Sequence, residues 1–198
     1  MLHRLAIDLA RSFYSDKEHD EDDIEVYAYG LEIFLSSTLQ LLVFLLLGLL
    51  AGQLFTTMAF LAAFIPLRTV AGGYHARTHL RCFLGFCAIY AVFLGFLHIL
   101  PLQYTGALSI TFVGIAAIPV LMFAPLADEN KPIGPKQRKN FRYKSLRRFS
   151  VSVILIVSFS FTNTVPNIML AFSIGLLAAA CSLAVAKAQD FIKTRRVA

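Results

Sequence analysis

The chain has 198 residues, of which 58% are hydrophobic and 15% charged, with a net charge of +6. Soluble domains average about 25% charged residues, and a soluble fold of this length has no interior able to hide so much apolar surface, whereas a bilayer solvates it. The basic balance comes without an aromatic-interleaved soluble module, so no nucleic-acid partner is implied, and three cysteines, an odd number, argue against a disulfide framework.

In chain order, Leu2, Leu5, Leu9 and Phe13 recur at three- and four-residue spacing beside Ala6 and Ala10. That is an amphipathic stripe suited to lying on the inner leaflet. No unbroken apolar core runs between His3 and Tyr14, so a cleavable signal peptide is not expected. The acidic run Asp16–Glu25 reads as a solvated linker, with a mobile arm touching basic loops as the sharper alternative. Residues 1–25 are therefore expected to be an interfacial helix and an acidic linker.

Six apolar stretches follow: Leu31–Leu50, Leu54–Ala71, Cys82–Leu100, Ala107–Leu126, Phe149–Thr164 and Pro166–Ala186. A spanning helix needs about 20 apolar residues, and backbone in lipid must pair within its own segment, so helices are predicted. The fifth stretch is short and recruits Leu146 and its neighbours. Glu32 opens the first span, where an acid is a functional candidate able to pair with an arginine such as Arg68. Gln40, mid-span, reads as an interhelical hydrogen bond worth about 1 kcal/mol or less.

All eighteen Lys and Arg fall in four places. Arg4, Arg11 and Lys17 precede the first span; Arg68, Arg77 and Arg81 lie between the second and third. Lys131, Lys136, Arg138, Lys139, Arg142, Lys144, Arg147 and Arg148 lie between the fourth and fifth; Lys187, Lys193, Arg195 and Arg196 follow the sixth. The alternate connections carry none. Positive residues near span ends stay cytoplasmic. The expected fold is an all-α integral membrane protein: six transmembrane helices, an N-terminal interfacial amphipathic helix, and both termini cytoplasmic. It forms a single membrane domain over 1–198, with a six-helix bundle at 30–187, a basic cytoplasmic loop at 128–148 and a basic tail at 188–198.

The segment most suited to chemistry is 66–82, P-L-R-T-V-A-G-G-Y-H-A-R-T-H-L-R-C. It gathers Cys82, His75, His79, Arg68, Arg77 and Arg81 at one membrane edge, with Gly72-Gly73 directly before the His- and Cys-bearing part. Cysteine nucleophiles act as thiolates, which nearby cations favour, with a histidine as base. Cys87 and Cys181 lie in apolar spans and read as small packing residues. A continuous helix would hold His75 and Cys82 about 10.5 Å apart along its axis, which favours His79 as base unless the chain bends between them. His75, His79 and Cys82 also suit three zinc ligands, but no second cluster supplies a fourth. The blandest reading is a membrane-edge loop whose His and Arg merely snorkel.

This stretch resembles the accessory gene regulator B (AgrB) family of membrane endopeptidases in Gram-positive peptide quorum sensing. Arg68, Gly73, His75-Ala76 and Cys82 match its pattern in order and spacing, as do Ala124-Pro125, Lys131-Pro132-Ile133 and Tyr29-Gly30-Leu31-Glu32. The likeness covers essentially the whole chain. It implies Cys82 as nucleophile, His75 as base, Arg68 and Gly73 as supporting positions, and no catalytic role for His79. It requires a non-helical path from His75 to Cys82.

The implied substrate is an AgrD-like propeptide on the bacterial inner leaflet, its acidic tail held by basic residues such as Lys131, Lys136, Arg138 and Lys139. Cleavage passes through a thioester on Cys82, and an internal Cys or Ser closes a thiolactone or lactone. No cofactor or metal is implied; membrane lipid and a second copy in a homodimer are implied partners. The competing classes are a small transporter or exporter, which predicts charged or broken helices at mid-membrane, and a metal-binding membrane scaffold.

Overall fold

The computed structural model describes residues 2–14, 21–73, 79–99, 102–126, 134–162 and 165–197. Within them the chain is helical almost throughout: α1 (Leu2–Tyr14), α2 (Glu21–Leu50), α3 (Leu54–Ala71), α4 (His79–Ile99), α5 (Thr105–Phe123), α6 (Pro135–Thr162) and α7 (Pro166–Val197), with a short 3₁₀ turn at Leu102–Tyr104. The six apolar stretches fall in order on α2 to α7. Among the described residues four helical stretches are long and apolar enough to cross a membrane: Ile24–Leu50, Leu54–Ala71, Thr105–Phe123 and Pro166–Ile192. α4 carries a shorter apolar stretch, Phe83–Leu97. α6 is basic over its first half and apolar after Phe149.

Two polar segments differ from expectation. Glu21, Asp22, Asp23 and Glu25 form the first turns of α2 rather than a linker. Carboxylates suit that position, where free N–H groups and the helix dipole present positive charge. Likewise residues 136–148 are helix, not loop. Pro135 takes the first helical position, where its missing N–H is no loss and its fixed φ fits, and the helix then runs unbroken into the apolar half. The basic tail is also helical, as the end of α7.

The chain forms two compact units, Met1–Gly52 and Gln53–Ala198. In the first, α1 packs on α2. Ala6 and Ala10 are buried and Arg4, Asp8 and Arg11 exposed, so α1 turns its small residues inward.

The second unit is built around α7, with α3 and α5 as its principal partners and α6 against α3 and α5. Side chains on α7 explain this. Ala171, Gly175, Ala178 and Ala179 form a small-residue stripe, and the three alanines are buried. A Cβ added at Gly175 would sit 2.4 Å from the Phe60 carbonyl oxygen, so α3 and α7 approach backbone to backbone. Small residues allow such approach, and dispersion over that contact drives association where lipid is as apolar as the helices. From α3, Phe60 and Phe64 reach Phe86, Tyr90 and Phe93 of α4, with Phe60 and Phe93 stacked at 4.8 Å and Phe64 edge-on to Phe86 at 4.7 Å. The hydroxyls of Thr57 and Tyr90 share a hydrogen bond of 2.8 Å inside this contact.

Candidate active site at the Gly-Gly turn

The end of α3 is fixed by three independent constraints. Gly72 closes the helix with φ +79°, and its N–H donates to the Arg68 carbonyl at 3.0 Å. A Cβ there would lie 2.4 Å from the Leu126 carbonyl oxygen, so both the dihedral and the space require glycine. The Leu126 N–H in turn donates to the Ala71 carbonyl at 3.0 Å. The end of α3 and the strap following α5 are thus joined backbone to backbone.

Gly73 follows with φ +152°, and a Cβ there would meet Ser182 Oγ at 2.7 Å and Arg68 Nη1 at 2.9 Å. Those two atoms are themselves bonded: Arg68 Nη1 donates to Ser182 Oγ at 2.8 Å, and the Ser182 hydroxyl donates to the Ala179 carbonyl at 2.8 Å. The Arg68 guanidinium also lies 5.7 Å from the centre of the Phe64 ring, a cation–π approach that helps a half-buried charge.

Two basic residues of α6 bond to backbone carbonyls of other helices. Arg142 Nη1 donates to the Ala124 carbonyl at 3.2 Å and Nη2 to the Leu121 carbonyl at 3.4 Å. In a continuing helix the Leu121 carbonyl would receive the N–H of residue 125, but that residue is proline and has none; the guanidinium takes its place. Arg148 Nη1 donates to the Pro66 carbonyl at 2.5 Å and to Thr69 Oγ1 at 3.1 Å, tying α6 to the last turns of α3. Lys136, Arg138 and Lys139, on the first turns of the helix, are exposed, as is much of Arg142 itself.

Of the residues singled out from the sequence, Arg68 and Gly73 come together, with Gly72 and the Ala124–Leu126 strap against them. The backbones of His79, Arg81 and Cys82 lie in the first turn of α4. Their side chains fall outside the described residues, as do His75 and Lys131 altogether, so the zinc alternative and the His75–Cys82 path do too. Glu32 is half-buried on α2 of the first unit. Cys87 is half-buried, but Cys181, expected as a packing residue, is exposed on the outer side of α7. In an apolar span a cysteine behaves as a small hydrophobe whether it meets protein or lipid.

Sequence reasoning missed Ser182. It sits in an apolar run, and its one signal was that serines in such helices tend to hydrogen-bond neighbouring helices. The bonds of Arg142 and Arg148 to backbone carbonyls were missed because the surplus of basic residues in 128–148 reads as lipid anchoring or as a docking surface for an acidic peptide, and neither reading tells one basic residue from another.

These features define a helical protein suited to a bilayer, with a glycine turn gripped by an arginine and by the strap before a basic helix. Compared with known proteins, residues 6–183 match the profile of the Accessory gene regulator B family. The chain belongs to that family. It is 24% identical over 144 residues to accessory gene regulator protein B of Staphylococcus aureus, covering 72% of this chain and 76% of that one. It is 24% identical over 155 residues to protein FsrB of Enterococcus faecalis, covering 78% of this chain and 63% of that one. A further relative, accessory gene regulator protein B of Staphylococcus intermedius, is 28% identical over 120 residues, covering 59% and 61% of the two chains. No solved structure matches the chain.

Proposed function

We propose that this protein is a cysteine endopeptidase of the bacterial cell membrane. It removes the C-terminal tail of an AgrD-like quorum-sensing propeptide and promotes ring closure of what remains. The protein acts as one six-span membrane domain with both termini and the active segment cytoplasmic, in contact with lipid and as a homodimer.

The observation that carries this reading is a convergence. Arg68 and the Gly72-Gly73 turn meet the Ala124–Leu126 strap, about fifty residues further along the chain, at one point. The chain leaving that point carries His75 and Cys82 within nine residues. A turn this constrained fixes where the reactive segment begins, and fixed geometry is the larger part of what a nucleophile and its base require.

In the proposed mechanism, the Cys82 thiolate attacks the backbone carbonyl preceding the acidic tail. The C–N bond breaks, the tail leaves as an amine, and His75 supplies its proton. A thioester joins the remaining peptide to Cys82. A Cys or Ser within that peptide then attacks the same carbonyl and releases the Cys82 sulfur. Thioester exchange is nearly balanced in energy, so no nucleotide is consumed. Lys136, Arg138 and Lys139, exposed on the first turns of α6, together with Lys131, hold the acidic tail.

The test is reconstitution in liposomes with a peptide bearing an amphipathic N-terminal helix, a central cysteine and an acidic end. Wild type cleaves it, Cys82→Ala does not, and His75→Ala is slower by roughly 100- to 10,000-fold. A Cys82→Ala protein that still cuts ends the proposal; loss on His79→Ala but not His75→Ala reassigns the base.

A further inference from the structure

We propose that Ser182 of α7 is a positioning residue for the active segment: its hydroxyl locks the Arg68 guanidinium against the Gly73 turn, and so fixes the start of the chain that carries His75 and Cys82. The catalytic consequence rests on the protease reading above; the structural consequence does not.

Three residues from two distant parts of the sequence fill one small volume. Ser182 Oγ lies where a side chain on Gly73 would be, 2.7 Å from that Cβ position, and Arg68 Nη1 lies 2.9 Å from it. The oxygen and nitrogen are 2.8 Å apart. The hydroxyl has one proton, and it is spent on the Ala179 carbonyl one turn back on the same helix. Its lone pair is therefore aimed at Arg68 by α7 itself. α7 is the most buried of the long apolar helices, so the anchor is rigid. Arg68 carries that rigidity to the turn twice: its side chain abuts Gly73, and its carbonyl receives the Gly72 N–H. An alanine at 182 keeps the packing but leaves Arg68 without this acceptor. Hydrogen bonds to charged groups are among the stronger ones, and they tighten further in a low local dielectric.

The experiment uses the full chain in nanodiscs, as wild type, Ser182→Ala and Ser182→Thr. Hydrogen exchange is followed at Gly72 and Leu126, whose amides close the turn and the strap. Ser182→Ala speeds exchange there by about tenfold, the low end for losing a hydrogen bond to a charged group. Val113 on α5 stays as in wild type, and Ser182→Thr, which keeps the hydroxyl, returns to within about twofold. Equal exchange in Ser182→Ala and wild type overturns the proposal, as does a rise that threonine fails to reverse.

In the liposome assay Ser182→Ala lowers kcat by about tenfold with KM within about twofold, because the turn and not the peptide site is disturbed. In an Arg68→Lys background the serine change adds nothing, since residues acting through one contact are not additive; two independent losses that multiply would overturn the positioning role. If Cys82→Ala retains cleavage while the exchange result holds, the protease reading fails and Ser182 keeps its hold on the turn. If cleavage depends on Cys82 and Ser182→Ala is silent in both measurements, the present proposal fails alone.

Discussion

α2 and α7 are comparably apolar, yet only 17% of the most apolar window of α2 is buried against 56% for α7. Their side chains account for the contrast. α2 runs through Leu41, Leu42, Leu45, Leu46, Leu47, Leu49 and Leu50, bulky side chains that are mostly exposed, and its partner within the first unit is α1. α7 runs through Ala171, Gly175, Ala178, Ala179 and Ala180, which let α3 come within contact of its backbone. Hydropathy identifies helices that want to leave water. Side-chain size decides how closely another helix can approach each of them within its own unit.

The contrast is open to direct attack. The largest effect is expected from Leu176→Ala on α7, where a side chain 1% exposed leaves a cavity; the loss is about 2–5 kcal/mol, read by reversible unfolding in mixed micelles. Gly175→Leu forces α3 and α7 apart, at about 1–3 kcal/mol or more, with loss of activity from a residue remote from the chemistry. Arg142→Ala strips the donor from two carbonyls at the end of α5 and costs about 1–3 kcal/mol, with faster proteolysis near Pro125. Tyr90→Phe, which removes the bond to Thr57, costs about 0.6 kcal/mol, the average for such bonds in a membrane. Leu46→Ala on α2, at a side chain 56% exposed, changes stability by less than about 0.5 kcal/mol. A larger loss there would mean that protein rather than lipid covers that face.

Much of this arrangement is legible from residues alone, for identifiable reasons. Helix positions follow from long apolar runs, because lipid leaves the backbone no other way to pair. The Gly-Gly turn is legible because a positive φ at the end of α3 admits little else. Helix ends in polar sequence are harder. Glu21–Glu25 and residues 136–148 look like linkers by charge, but they continue helices whose apolar halves had already paid for nucleation. Hardest are contacts between distant segments. Nothing near Ser182 in sequence announces Arg68, and nothing in the positive-inside pattern tells Arg142, which takes the place of an N–H missing from Pro125, from Lys136 on the first turn of the same helix. Such roles depend on which helices touch, and periodicity does not carry that information.

The basic residues on the first turns of α6 offer a smaller test. Replacing Lys136, Arg138 and Lys139 with glutamate is expected to raise KM for an acidic-tailed peptide several-fold, an effect that shrinks at high salt because exposed charges are screened. Stability should hardly change, in contrast to Arg142→Ala.

The central claim is that a covalent bond forms between the substrate and one particular sulfur. Incubating reconstituted protein with propeptide, quenching in acid and mapping the adduct by mass spectrometry tests it most directly. A hydroxylamine-labile adduct of the propeptide's N-terminal portion on Cys82 is the predicted result. The same adduct on Cys87 or Cys181, or tail release with no adduct on any of the three cysteines under rapid quench, would contradict it.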